Sequence, residues 1–185
     1  MTYYEVLLYL HITLAIVWLG SALLLQVLGH RAVSTNDLER IKSLLDESHW
    51  LTNRLFIPSS LAVLVVGILL TIEGPWEFSD LWIVLGLAGY ATSFLSGLLL
   101  ISRQVKTVAR VIERDGGMSA DAVSETRRLF LISRVELVVL YTVVLDMALK
   151  PRSEDVGTLL LMAVAVLSAV AYSVWRFRTP APTAA

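Results

Sequence analysis

The sequence predicts an all-α protein: a polytopic membrane bundle of five transmembrane helices, with the N-terminus outside, the C-terminus in the cytoplasm and helical cytoplasmic extensions. Three observations lead there. Hydrophobic residues make up 56% of the 185 residues and charged ones only 17%, whereas a soluble domain carries about a quarter charged. The apolar residues are also gathered into runs: no Asp, Glu, Lys or Arg interrupts Val6 to Gly29, Leu55 to Ile72, Leu81 to Ser102 or Val156 to Trp175. At roughly 1.5 Å per residue, each run crosses or nearly crosses a hydrocarbon core of about 30 Å. Finally, the basic residues fall in alternate connections, as they do in a chain threaded through a bilayer.

The first span is expected over about residues 4–29. Met1 to Glu5 has no Lys or Arg, and the run lacks a short apolar region followed by a small-residue cleavage site, so it reads as a retained span. Residues 34–52 read as an amphipathic segment. Ser34 and Asp37 have capping-box-like spacing, and Leu38, Ile41, Leu45 and Trp50 or Leu51 recur near helical intervals. The second span, about 55–73, runs to the turn Glu73-Gly74-Pro75-Trp76. The third covers about 80–102. Beyond it Val105, Val108, Val111 and Ile112 extend a helical stripe, Asp115-Gly116-Gly117 breaks it, and Ser119 is placed to cap the return, making 103–128 a helical hairpin.

The fourth span, about 129–149, is the least obvious. It holds Arg134, Glu136 and Asp146 in a run otherwise dominated by Leu and Val, and Lys150-Pro151 ends it. The fifth is expected over about 156–176. Residues 1–178 thus form a single bundle, and the Pro/Ala-rich tail 179–185 reads as disordered.

Arg31, Arg40, Lys42, Arg54, Arg103, Lys106, Arg110, Arg114, Arg127, Arg128, Arg134, Arg176 and Arg178 fall on one side of this topology. Lys150 and Arg152 alone fall on the other. The positive-inside rule makes the basic side cytoplasmic. A net charge of −1 gives no basic excess for nucleic acid, and the absence of cysteine removes disulfides, thiolate metal sites and cysteine nucleophiles. No phosphate loop, dinucleotide fingerprint or nucleophile–base pair supports a soluble type of enzyme.

Ionisable groups within a bilayer are expensive, so each needs a partner or a purpose. His11 lies seven residues from Tyr4, about 10 Å below the outer edge of its helix. Asp146 lies four residues before Lys150, about 6 Å below the same surface. Met147 and Met162 share that depth. If their helices are neighbours, His11, Asp146 and Met162 converge. The set reads either as a metal, haem or proton site or as a His–Asp hydrogen bond joining two helices, with the methionines as packing. Glu136 and Arg134 are two residues apart and face nearly opposite ways. Arg134 is placed to snorkel, and Arg54, with His49 nearby, is a candidate partner for Glu136. His30 lies about 28 Å from His11 along one helix, too far to share an iron. Two small-residue stripes, Gly89-Ser93-Gly97 and Ala165-Ala169-Ser173, suit close helix packing in the bundle or in a homodimer.

The run Leu10-His11-Ile12-Thr13-Leu14-Ala15-Ile16-Val17-Trp18-Leu19-Gly20 resembles the first helix of the uncharacterised bacterial membrane family with domain of unknown function 2269. Asn53-Arg54-Leu55-Phe56-Ile57-Pro58, Gly67 and Glu73-Gly74-Pro75-Trp76 extend the likeness. The first helix is also similar to those of the copper-resistance protein D family and of short haem-binding membrane protoporphyrinogen oxidases. That resemblance implies that His11 meets haem b or copper and that Trp18 packs beside the site, in a protein of the bacterial inner membrane. Three functions are therefore in competition: a haem or copper site centred on His11; a non-catalytic scaffold or membrane partner subunit acting through its basic hairpin; and small-solute or proton transfer through His11, Asp146 and Glu136.

Overall fold

The computed structural model describes residues 2–34 and 38–178. The expected Ser34–Asp37 cap, the side chain of His49 and the tail 179–185 lie outside what is described. The described residues form seven α-helices: α1 Tyr3–Ser34, α2 Leu38–Leu51, α3 Ile57–Glu73, α4 Leu81–Leu95, α5 Ser102–Asp115, α6 Ala120–Leu149 and α7 Val156–Arg178. No strand occurs among the described residues. Among the described residues, four helical runs are long and apolar enough to cross a bilayer: Tyr3–Ala32, Thr52–Glu73, Leu81–Asp115 and Val156–Arg178. α6 is not among them, because every 18-residue stretch of it holds Arg134, Glu136 and at least one further charge.

Two of the joints are wide helical turns. α2 passes into α3 through a π-helical segment, Thr52–Phe56, closed by the bond from the Ile57 N–H to the Thr52 carbonyl. Pro58 explains it: a proline has no N–H, and its ring meets the carbonyl four residues earlier, that of Arg54, so the helix opens just before it instead of breaking. α4 passes into α5 through a second wide turn, Ser96–Ile101, where the Ser102 N–H bonds the Gly97 carbonyl. The spans and the segments expected to be separate from them are thus continuous. α1 likewise runs past residue 29, because nothing in His30-Arg31-Ala32 stops a helix and Ala32 is buried at its far end.

The hairpin turns at Gly116, whose φ of 71° ends α5 in the left-handed conformation that glycine adopts freely. The Ser119 hydroxyl then accepts the Ala122 N–H at 3.1 Å to cap α6. α6 stops at Lys150, a non-glycine residue at φ 46° whose N–H bonds the Asp146 carbonyl at 2.7 Å, with Pro151 buried behind it.

α6 is the hub: α1, α4, α5 and α7 all pack on it, and α3 packs on α1. Two apolar centres result. Trp18, Val63 and Leu140 join α1, α3 and α6, with Phe56 and Tyr90 against them. At the other end Ala32, Ile41, Val108, Ile112 and Ala122 close a small core beyond the charge-free runs, drawn from α1, α2, α5 and α6. The apolar stripe of the hairpin is therefore covered by the chain's own amphipathic α2.

Candidate functional site: a polar seam between two helices

α4 and α6 run antiparallel, and small residues on α4 let them approach closely. A Cβ at Gly86 would lie 2.1 Å from Met147 Cε and 3.3 Å from Asp146 Oδ2, and one at Gly89 would lie 2.4 Å from Val143 Cγ2. At Gly97 the nearest atom is Glu136 Oε1, 3.6 Å away. The stripe read as either internal packing or a dimer face thus serves inside the bundle, and the sequence missed its first member, Gly86. Ser173 of the second stripe also turns inward, toward the Leu131 carbonyl of α6 at 3.4 Å.

Two carboxyl groups lie along this seam. Glu136 accepts a hydrogen bond from the buried Ser93 hydroxyl at 3.2 Å. Arg54, proposed as its partner on sequence grounds, is exposed and makes no ion pair with it, and Arg134 is exposed as well. Asp146 is 1% exposed, and neither of its oxygens has a hydrogen-bond partner. The two carboxyls are ten residues apart, about 15 Å along α6. Val143 and Leu140 fall between them.

His11 belongs to a different contact. Its ring lies against α3, with Cε1 3.0 Å and Nδ1 3.5 Å from the position of a Cβ on Gly67, and it also faces the Val63 backbone. Nδ1 is buried without a hydrogen-bond partner. Because Asp146 is also unpartnered, no His11–Asp146 bond joins the two. Residue counting puts the two at similar depths, but they turn to different neighbours around their helices. Met162 is buried on α7, a helix that packs on α6, whereas His11 packs on α3. Trp18, 7% exposed, meets Tyr90 at 5.7 Å between ring centres instead of touching a cofactor pocket with His11, and Tyr90 stacks on Phe94 at 5.9 Å. The Tyr90 hydroxyl is a third buried group without a bond, one that sequence reasoning passed over because a tyrosine in an apolar run looks like packing.

Copper or haem held by His11 with Asp146 and Met162 does not fit these residues. The donor set reduces to one imidazole, its Nδ1 sealed from solvent, and no group of three or more His, Asp or Glu residues gathers among the described residues.

At the Asp146 end of the seam, Lys150 sets its ammonium 4.1 Å from the ring centre of Trp76 and 5.4 Å from that of Trp82. The two indoles meet edge to face at 5.2 Å. The motif Glu73-Gly74-Pro75-Trp76 thus ties the α3–α4 turn to the end of α6.

A family described as predicted integral membrane protein (DUF2269) matches residues 5–151. The chain belongs to the DUF2269 family. The match takes in α1 through α6 and ends at Pro151, so that the polar seam and the Lys150 contact both lie within the DUF2269 region, and α7 lies beyond it. No curated protein and no solved structure matches the chain.

Proposed function

We propose that this DUF2269 protein is a five-span protein of the bacterial inner membrane that binds a proton at Asp146 and passes it through the bundle. The observation that carries this reading is the burial of Asp146 with both oxygens unpartnered. A bare carboxylate in an apolar interior is too costly to persist, so it is neutralised by what it binds. Gly86 and the Met147 methyl lie beside Asp146, and no group of three or more His, Asp or Glu residues gathers among the described residues to hold a hard metal ion. A proton needs no coordination shell.

Packing supports counting α6 as the fifth span. Its neighbours α1, α4 and α7 shield Asp146 and Glu136 from lipid, and Arg134 is left to snorkel toward the side that holds 13 of the 15 basic residues. That asymmetry supports an outer N-terminus and a cytoplasmic C-terminus. Proton passage from Asp146 to Glu136 requires α4 and α6 to part at Val143 and Leu140. The haem or copper reading keeps only the unpartnered Nδ1 of His11 in its favour and needs further ligands from outside the chain.

Proteoliposomes loaded with a pH-sensitive dye test the proposal. Under an imposed proton gradient the wild-type chain should relax the gradient faster than empty vesicles. Asp146→Asn should abolish the excess rate, Glu136→Gln should reduce it, and both variants should retain wild-type melting. Infrared difference spectra should show a protonated carboxylic acid that Asp146→Asn removes. An Asp146→Asn rate equal to the wild type, or a wild-type rate equal to that of empty vesicles, overturns it.

A further inference from the structure

α5 leaves the apolar run of α4 without a break, and its orientation is fixed on two sides. Val108 and Ile112 are fully buried in the small core with α2 and α6, and the Gln104 amide donates to the Glu125 backbone carbonyl at 3.1 Å and to its carboxylate at 2.6 Å. The opposite face therefore points outward, and on it stand Arg103, Lys106 and Arg110, all exposed. Spacings of three and four place them on one line, rising about 4.5 and then 6 Å along the axis.

Several other cations at this end have something to bind. Arg114 continues the same line but is held by Asp115 at 2.6 Å and Asp121 at 3.0 Å. Arg127 donates to the Arg176 carbonyl at 2.9 Å, Arg128 lies 5.7 Å from the centre of the Phe177 ring, and Arg176 lies 6.0 Å from that of Trp175. Arg103, Lys106 and Arg110 have no ion pair, side-chain hydrogen bond or ring contact among the described residues. Three like charges on one helix face repel one another, and the acid that shares that face, Glu113, three positions after Arg110, is exposed and makes no ion pair with them.

We propose that this face docks an acidic helix of a partner protein, with carboxylates at the matching spacing of three or four and then seven. Charge complementarity sets the sign, and reach decides between protein and lipid. The exposed apolar residues Leu98, Leu99 and Leu100 end three positions before Arg103, so Arg110 stands about 15 Å beyond Leu100 along the helix. A headgroup layer extends only about 5–8 Å on each side of the hydrocarbon. Headgroups reach Arg103, but they do not reach Arg110, whereas a helix laid along α5 pairs all three.

The test uses the full chain in nanodiscs of neutral phosphatidylcholine and two fluorescent helical peptides of identical composition. One peptide has three Glu at intervals of four and three; the other has them scattered around the helix. The spaced peptide should bind about tenfold tighter, the effect of three exposed ion pairs of ordinary strength acting together. The triple reversal Arg103→Glu, Lys106→Glu, Arg110→Glu should remove that difference, and Arg152→Glu should leave it unchanged. Equal binding of the two peptides overturns the proposal. So does a chain that ignores both peptides yet takes up phosphatidylglycerol through the same three residues, since the face then serves the membrane.

Discussion

Gly89→Ala is the sharpest test of the seam between α4 and α6. The added carbon would sit 2.4 Å from Val143 Cγ2, and carbon atoms in favourable contact lie about 3.5–4.0 Å apart. The overlap is therefore more than 1 Å. Val143 has little freedom to rotate away, because a β-branched side chain in a helix is held to one preferred rotamer. The helices must separate instead, and overpacking of this kind costs about 1–3 kcal/mol. Val143→Ala in the same chain removes the clashing methyl and leaves Val143 Cβ, 3.8 Å from the new carbon, in ordinary contact. The assay is a double-mutant cycle on reversible unfolding in detergent, with Gly20→Ala as reference because nothing lies within 4 Å of its added carbon. Gly89→Ala should destabilise, the double variant should recover at least about 0.5 kcal/mol beyond additivity, and Gly20→Ala should be neutral or slightly stabilising. A coupling indistinguishable from zero, or a Gly20→Ala loss as large as that of Gly89→Ala, would refute the proposed close approach.

Further expectations concern single contacts. Ser93→Ala removes the only hydrogen bond to Glu136 among the described residues and should lower stability by about 1–3 kcal/mol; a melting curve matching the wild type would show that the bond is not needed. Trp18→Ala empties the centre shared by α1, α3 and α6 and should cost about 3–5 kcal/mol, with Trp18→Phe costing less. At Lys150 both Ala and Gly lose the cation over Trp76 and Trp82, but Gly relaxes the backbone at φ 46°, so Lys150→Gly should melt above Lys150→Ala by roughly 1 kcal/mol. Ile112→Asp places a charge in the closed core shared by α1, α2, α5 and α6 and should open the backbone of α5 to trypsin while the charge-free runs stay protected; unchanged digestion would refute that packing.

Much of the fold could be read from charge-free runs, because length and apolarity are local properties. The hub role of α6 could not. Arg134, Glu136 and Asp146 make it the weakest of the apolar segments, yet Glu136 and Asp146 are turned toward α4 while Arg134 stays exposed. The depth of His11 and Asp146 followed from counting residues, but whether they meet depends on rotation about two axes, and the structure turns them to different neighbours. Ser93 was read as a packing residue, since nothing in a small-residue stripe reveals that one hydroxyl will find a carboxyl 43 positions away. Pro58 was visible, but the wide turn it imposes was not. The hairpin stripe was legible from Val108 and Ile112, whereas its cover, Ile41, comes from a helix more than sixty residues earlier.

The unbroken passage of α4 into α5 has a mechanical consequence. Leu81–Asp115 is one rod of 35 residues, about 52 Å long, and it carries the Gly86 contact with Asp146 at one end and the Arg103–Arg110 face near the other. A lever of that length turns a tilt of about 10° at the basic end into a displacement of about 9 Å measured across the whole rod. A displacement of α5 therefore reaches the buried carboxyl through continuous helix, with no loop in between to absorb it.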